Sequence, residues 1–226
     1  MKERKTTEIS LFDLDNTLLA GDSDYLWGEF MIENGLVDAT MHRAENERYY
    51  QDYLAGTLDI NAFIAFQLDP LAKHDRQELL EFRERFIDEK IRPIVLSQAM
   101  ALVERHRQKG HTCLIITATN RFITEPIAEL FGVDELLATE PELQNGQYTG
   151  RCVGVPCFQS GKVKRLEQWL QQNDLTVEKS HFYSDSHNDL PLLSKVDHPV
   201  AVDPDESLAN HAREQGWPII SLRDRP

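Results

Sequence analysis

ISLFDLDNTLL, residues 9–19, runs from apolar side chains into two carboxylates one residue apart and then a hydroxyl. A continuous apolar run bounded by polar residues predicts a strand buried on both faces, so Asp13, Asp15 and Thr17 emerge where that strand stops. In open α/β sheets that edge is where ligands bind. On its own a D-x-D is as readily a turn or a helix cap, and two distant stretches decide between these readings. HFYSDSHNDL, residues 181–190, is a second apolar approach that opens onto Asp185 and then Asp189. Lys162 stands between the two acidic clusters, at the start of an amphipathic helix with Val163, Leu166, Trp169 and Leu170 on one face.

Four carboxylates brought together repel one another and lose hydration in a cleft, so positive charge must sit among them. A hard divalent cation with oxygen ligands meets that need, and magnesium both keeps water and shares phosphate oxygens with the protein. The constellation predicts a phosphate site.

The composition is that of an ordinary globular chain: 226 residues, 41% hydrophobic and 27% charged. That suffices for one sizeable domain, or a domain with a smaller insert. No apolar run approaches the ~20 residues that span a bilayer, which argues against a membrane partner. The start, MKERKTTEIS, is charged and enters the first strand without an apolar signal core, so a cytoplasmic protein is expected. With a net charge of -14 and no Lys/Arg run, a nucleic-acid footprint is absent, and local cations must overcome the global field for an anionic substrate to bind. Cys113, Cys152 and Cys157 are an odd set without a C-x-x-C pair and read as free thiols in a reducing compartment.

After Gly21, with Asp22 or Ser23 as N-cap, the pattern is helical to about Leu96, with Tyr49, Tyr50, Tyr53, Leu54, Phe63, Phe66 and Leu68 at turn spacing. Residues 21–96 therefore read as a helical insert, and 1–20 with 97–226 as an α/β core. HTCLIITAT is the next buried strand, with Thr117 at its end, followed by a helix over about 121–131 that Gly132 ends. LLATEPEL reads as a strand, and Asn145-Gly146 supplies the positive φ angles of a hairpin turn. A helix over 161–171, strands HFYSD, HPVAV and WPIIS, and helices near 190–193 and 206–215 complete the chain. Strands alternating with helices predict a doubly wound parallel sheet with right-handed crossovers.

In these segments the chain resembles the haloacid dehalogenase superfamily of phosphohydrolases, in its phosphoserine-phosphatase-like branch. FDLDNT matches the first motif of that family, LIITAT the second, Lys162 in GKVKRL the third and SDSHNDL the fourth, in the family's order and across nearly the whole chain. The resemblance implies a Rossmann-like core with a helical cap that closes over the active site. It implies that Asp13 is the nucleophile, forming an aspartyl phosphate that water later hydrolyses. Asp15 would protonate the leaving alkoxide and then take a proton from water, with its backbone carbonyl on the metal. Thr117 and Ala118 would donate to phosphoryl oxygens near a helix N-terminus. Lys162 would neutralise the transferring group; Lys164 is its rival, since the two point about 200° apart on a helix. Mg2+ would be held by Asp13, Asp15, Asp185 and Asp189, the last through water or by orienting Lys162 instead. Thr17 is expected to hold the loop, and Thr119, Asn120 and Arg121 to serve substrate or cap. Ser184 and Ser186 stand where many relatives carry glycine. His187 reads as a loop residue, because magnesium prefers oxygen.

Departures from the family carry the substrate reading. Nine residues past the nucleophile, where phosphoserine phosphatases place a glutamate for the substrate amine, this chain has Asp22. Where those enzymes place a carboxylate-binding arginine in the second cap helix, GTLDINAFIAF puts Ala65, so the bidentate guanidinium fork is lost. An amine-recognising acid without that arginine favours a phosphorylated amino alcohol, with Asp22, Asp24 and Glu29 as an acidic cluster for a cation. The string DNTLLAGDSDYLWGEF is similar to histidinol-phosphate phosphatases of this type, which implies that substrate. A receiver-like protein would lack Asp15 and the helical insert, a phosphotransferase would use the same residues, and a non-catalytic binder is disfavoured because no motif carboxylate is missing.

Overall fold

The computed structural model describes residues 5–223; the charged residues 1–4 and the outer core bounds at 1 and 226 lie outside them. At the centre is β1 (Lys5–Phe12), whose last four residues are buried on both faces. Ile9 and Leu11 enter one apolar cluster with Leu114, Ile116 and Phe182, while Phe12 enters the other with Ile115 and Tyr183. This alternation fixes the register, because a slip by one residue would exchange the faces. β1 pairs in parallel with β2 (Thr112–Asn120) and with β5 (Leu175–Ser184), and Phe12 stands beside both Ile115 and Tyr183. Asp13, just past β1, Asp185, just past β5, and Thr117 to Thr119, among the last residues of β2, therefore lie toward one edge of the sheet.

The sheet order is β4-β3-β2-β1-β5-β6-β7, with β3 (Glu135–Gln144), β4 (Gln147–Val153), β6 (His198–Val202) and β7 (Ile219–Ile220). Among the described residues β4 is the one antiparallel member, and Asn145 and Gly146 make its turn at φ 50° and 81°, as the sequence predicts. Strand order runs outward from β1 in both directions, so the carboxyl edge of β1 is a topological switch point.

Between β1 and β2 come α1 (Ser23–Glu33), α2 (Ala39–Leu54), α3 (Ile60–Lys73) and α4 (Arg76–Phe86), then a π turn over Ile87–Ile91, a short 3-10 turn over Arg92–Ile94, and α5 (Ser97–Gln108). Asp22, Asp38, Asp59 and Asp75 begin the four inserted helices, each accepting from backbone N–H groups of the first turn. The insert leaves and returns at one place: Leu19 pairs with Val95, and the Ala20 N–H donates to the Ile94 carbonyl at 2.8 Å. It shares the core's apolar interior, since the Trp27 ring lies 5.1 Å from Phe86 and 5.7 Å from Phe122 of α6 (Arg121–Phe131). α3 also lies against β4. Among the described residues no helix is long and apolar enough to cross a membrane. The remaining helices are α7 (Ser160–Gln172), α8 (Leu190–Leu193) and α9 (Glu206–Gln215).

Candidate active site

Asp13 is the first residue beyond β1, and its N–H still donates to the Tyr183 carbonyl of β5 at 2.9 Å. Its buried carboxylate is shared between two sides. Oδ1 accepts from Lys162 Nζ at 2.7 Å; Oδ2 lies 3.3 Å from the Thr17 hydroxyl, which is 3.1 Å from Asp185 Oδ1. Thr17 also accepts the Asp185 N–H at 3.0 Å, so this hydroxyl ties the loop after β1 to the loop after β5. Lys162 Nζ donates a second time to Asp189 Oδ2 at 2.8 Å, and all three charged groups are buried. Lys164 is exposed, and of the two lysines it is Lys162 that meets the carboxylates.

Local geometry makes that placement possible. Asn16, at φ 58°, turns the chain back after β1, and its N–H donates to the Gly21 carbonyl at 2.9 Å. Ahead of Lys162, a Cβ added at Gly161 would sit 2.0 Å from the Pro156 carbonyl oxygen, so only glycine lets α7 begin there.

Asp15 is held from two elements: Oδ1 accepts the Ser23 N–H of α1 at 2.6 Å, and Oδ2 accepts the Thr119 hydroxyl of β2 at 2.8 Å. Burial, aided by the nearby Asp22 charge and opposed by these bonds, pushes its carboxyl up to about 6. Burial pushes Asp13 up to about 7, against the pull of Lys162 and with added repulsion from Asp189. Asp185 is driven well above the carboxylate range by burial and then by Asp13 and Asp189. Burial alone would lower Lys162, yet Asp13 and Asp189 outweigh it and hold the ammonium charged.

Ser184 and Ser186 both hold the loop after β5. Ser184 donates to Asp189 Oδ2 at 2.7 Å and accepts the Ser186 N–H at 3.2 Å, while Ser186 accepts the Asn188 N–H at 3.2 Å. Asp189 is thus fixed by Ser184 and Lys162 together. His187 opens a 3-10 turn and its Nδ1 lies 2.9 Å from Asp205, away from the carboxylate set.

Thr117, Ala118 and Thr119 line a cavity with Asp13, Asp15, Lys162 and Asp189, and the insert supplies the opposite wall through Asp22, Asp24, three tyrosines of α2 and Phe63. Asn188 Nδ2 donates to the Tyr53 carbonyl at 3.2 Å, joining the strand-end loops to α2. Thr117 Oγ1 accepts the Thr119 N–H at 3.2 Å, and Asn120 caps α6 through Ile123. Arg121 turns away to Glu140 at 2.9 Å. Asp22 lines the cavity, but its Oδ1 already accepts from the N–H groups of Asp24 and Tyr25, both at 2.9 Å. Ala65 is exposed and stands outside the lining.

Sequence reasoning left Thr119 and Ser23 without a part in holding Asp15. Their signal was slight: a hydroxyl two residues past Thr117 and a backbone N–H, neither of which marks a partner eight or more residues away.

The haloacid dehalogenase-like hydrolase family matches residues 10–194. A histidinol-phosphatase of Neisseria meningitidis serogroup C (strain 8013) is 44% identical over 219 residues, covering 95% of this chain and 99% of that protein. A solved protein of unknown function from Bordetella pertussis Tohama I is 42% identical, with a TM-score of 0.91 over 97% of this chain and 100% of the other. A phosphoserine phosphatase solved as a phospho-aspartyl intermediate analogue shares the fold, at a TM-score of 0.67 and 17% identity over 97% and 95% of the two chains. With its four motifs gathered at one sheet edge and matched over most of its length, the chain belongs to the haloacid dehalogenase-like hydrolases.

Proposed function

We propose that this phosphatase is a magnesium-dependent phosphomonoester hydrolase working through an aspartyl phosphate on Asp13, with histidinol phosphate as its substrate. The observation that carries the reaction is the buried Asp13 carboxylate, bonded to Lys162 on one oxygen and turned toward Thr17 and Asp185 on the other. The substrate rests on 44% identity along nearly the full length to a protein named histidinol-phosphatase, and on the absence of an arginine from the cavity lining.

A divalent ion fits the residues present. Asp13, Asp15, Asp185 and Asp189 are drawn together with one lysine among them, every donor is oxygen, and burial leaves Asp185 far above its ordinary range for want of positive charge. Asp13, Asp185 and the Asp15 carbonyl would hold the ion, with Asp189 reaching it through water. When bound it supplies the charge that keeps these carboxylates ionised and offsets that of the phosphoryl group.

The chain's own groups then act in sequence. An Asp13 oxygen attacks phosphorus while the bond from phosphorus to the substrate oxygen breaks, and the proton on Asp15 passes to the departing alkoxide. Asp15 next takes a proton from a water whose oxygen attacks the aspartyl phosphate, releasing inorganic phosphate and restoring Asp13. A carboxyl pushed to about 6 suits a group that must give and then accept a proton near neutral pH. Lys162, held by Asp189, places fixed positive charge where charge grows on the transferring oxygens. Thr117 and Ala118 at the mouth of α6 would bind those oxygens. Residues 21–96 would act as the cap that excludes water from the reaction.

The test is phosphate release from histidinol phosphate and from O-phosphoserine. Histidinol phosphate is expected to be hydrolysed faster, with activity lost to chelator and restored by magnesium, and Asp13→Asn to fall by about 10³-fold or more. Equal or faster hydrolysis of phosphoserine would sink the substrate assignment, and indifference to chelator the metal.

A further inference from the structure

We infer that Asp24 is the specificity group of the cavity, and that its carboxylate receives a positively charged nitrogen of the substrate. The inference deepens the proposed hydrolysis of a phosphorylated amino alcohol and rests on phosphoryl transfer occurring at Asp13.

Asp24 lies in the first turn of α1, lines the cavity, and is only 6% exposed. Among the described residues its Oδ1 has no hydrogen-bond partner. No lysine, arginine or histidine among the described residues offsets its charge; what acts on it is burial, then the like charges of Asp22 and Asp15, all pushing the carboxyl well above its usual range. A buried carboxyl without a partner is costly, and such groups persist where a ligand completes them. Asp22, two residues earlier, is a poorer candidate because its Oδ1 is spent on capping α1.

The surroundings are shaped for the same kind of ligand. Asn46, whose Nδ2 also lacks a partner, reaches the cavity from α2. It does so past Gly28, one turn along α1 from Asp24: a Cβ there would stand 2.8 Å from Asn46 Nδ2 and 3.1 Å from His42 Nε2. Tyr25, Tyr49, Tyr50 and Phe63 line the cavity beside these groups, and aromatic faces favour an organic cation. Among the described residues the one cationic side chain of the lining, Lys162, is committed to Asp13 and Asp189. A ligand with phosphate at one end and an amine or imidazolium at the other supplies what each end lacks.

The experiment compares kcat/KM for esters bearing a cationic nitrogen, histidinol phosphate and phosphoethanolamine, with glycerol phosphate, which has none. Wild type is expected to prefer the cationic esters, and Asp24→Asn to shrink that preference by about 10- to 100-fold, the span of a lost charge-assisted hydrogen bond. Asp24→Glu, which keeps the charge, is expected to retain part of it. A preference unchanged in Asp24→Asn, or absent from wild type, overturns the inference while leaving the phosphatase reading intact. A wild type inactive on histidinol phosphate that still prefers phosphoethanolamine, with the preference lost in Asp24→Asn, overturns the named substrate and supports Asp24. Wild type alone gives a check that no folding defect can obscure: free histidinol should inhibit hydrolysis of nitrophenyl phosphate at lower concentration than glycerol does. Equal inhibition by the two overturns the inference.

Discussion

Lys162 keeps its charge with only 3% of its surface exposed, because two carboxylates face it and the Phe182 ring lies 5.7 Å away. Desolvating three charges is expensive, and their mutual attraction recovers that cost only while all three are present. Lys162→Met should therefore do more than abolish turnover. Leaving Asp13 and Asp189 buried without their cation is expected to lower the unfolding free energy by about 3–5 kcal/mol, read from urea denaturation. A variant as stable as wild type would mean that water or a bound cation already shares the lysine's task. Asp13, Asp185, Asp189 and Lys162 were legible in the sequence because two apolar strands each open onto carboxylates, with Asp189 four residues past Asp185, and acidic groups gathered in that way need a counter-charge. The grip of Thr119 on Asp15 and of Ser184 on Asp189 was not legible, since a hydroxyl beside a strand end suits packing, capping or bonding equally well. Asp24 read as one of several helix acids until its burial set it apart from the half-buried Glu29, which pairs with Arg43 at 3.0 Å.

At the scale of elements, α7 delivers the lysine, and its start is set by one backbone contact. Gly161→Ala would drive a methyl into the Pro156 carbonyl, where backbone has little freedom to yield. A loss of about 1–3 kcal/mol is expected, with kcat falling because Lys162 is the next residue; an unperturbed melt would show that the 156–161 turn adapts. The sheet carries a second polar element on the α5 side, a row of histidines at 106, 111, 181 and 198 with successive ring contacts. His106 Nε2 lies 2.9 Å from the Tyr183 hydroxyl and its Nδ1 2.7 Å from Ser10 Oγ, while His111 Nε2 lies 3.2 Å from Glu8. Burial, then His181, His111, Lys109 and Arg105, push His106 down to about 4, and burial with His198 and His111 lowers His181, against the pull of Glu8. The folded state thus binds fewer protons than the unfolded chain below the ordinary histidine value of 6.5. Their contribution to stability is whole above that pH and drains away as pH falls toward 4. The raised carboxyls of the site act in the opposite sense, so the test is a difference: the urea midpoint of wild type relative to His106→Gln should fall between pH 7 and 5, and parallel slopes would remove His106 from the account. The alternation that predicts the strands says nothing of this row, because its members come from one helix, one loop and two strands that only the finished sheet brings together. Likewise the turn-spaced aromatics announced helices in the insert, but not that Trp27 would share its core with Phe122.

For the molecule as a whole, the site must draw a phosphate ester toward a protein of net charge -14. The aspartates that cap α1 to α4 contribute to that charge, and they belong to the insert that walls the cavity. A dianionic ester approaching this face would be repelled until Lys162 and the proposed divalent ion take over at short range. Salt shortens the reach of that repulsion to about 10 Å at ~0.1 M, while buried contacts feel it much less. For nitrophenyl phosphate, kcat/KM is therefore expected to rise about two- to threefold between ~10 mM and ~150 mM sodium chloride at fixed magnesium. Histidinol phosphate carries its own positive nitrogen and is expected to show little rise, or a small fall as its attraction to Asp24 and the acidic wall is screened. The two substrates report on different parts of one field, so the contrast between their salt responses matters more than either slope. A fall for the dianion would place net positive potential over the entrance, and would move the recognition of phosphate from the buried lysine to the surface around it.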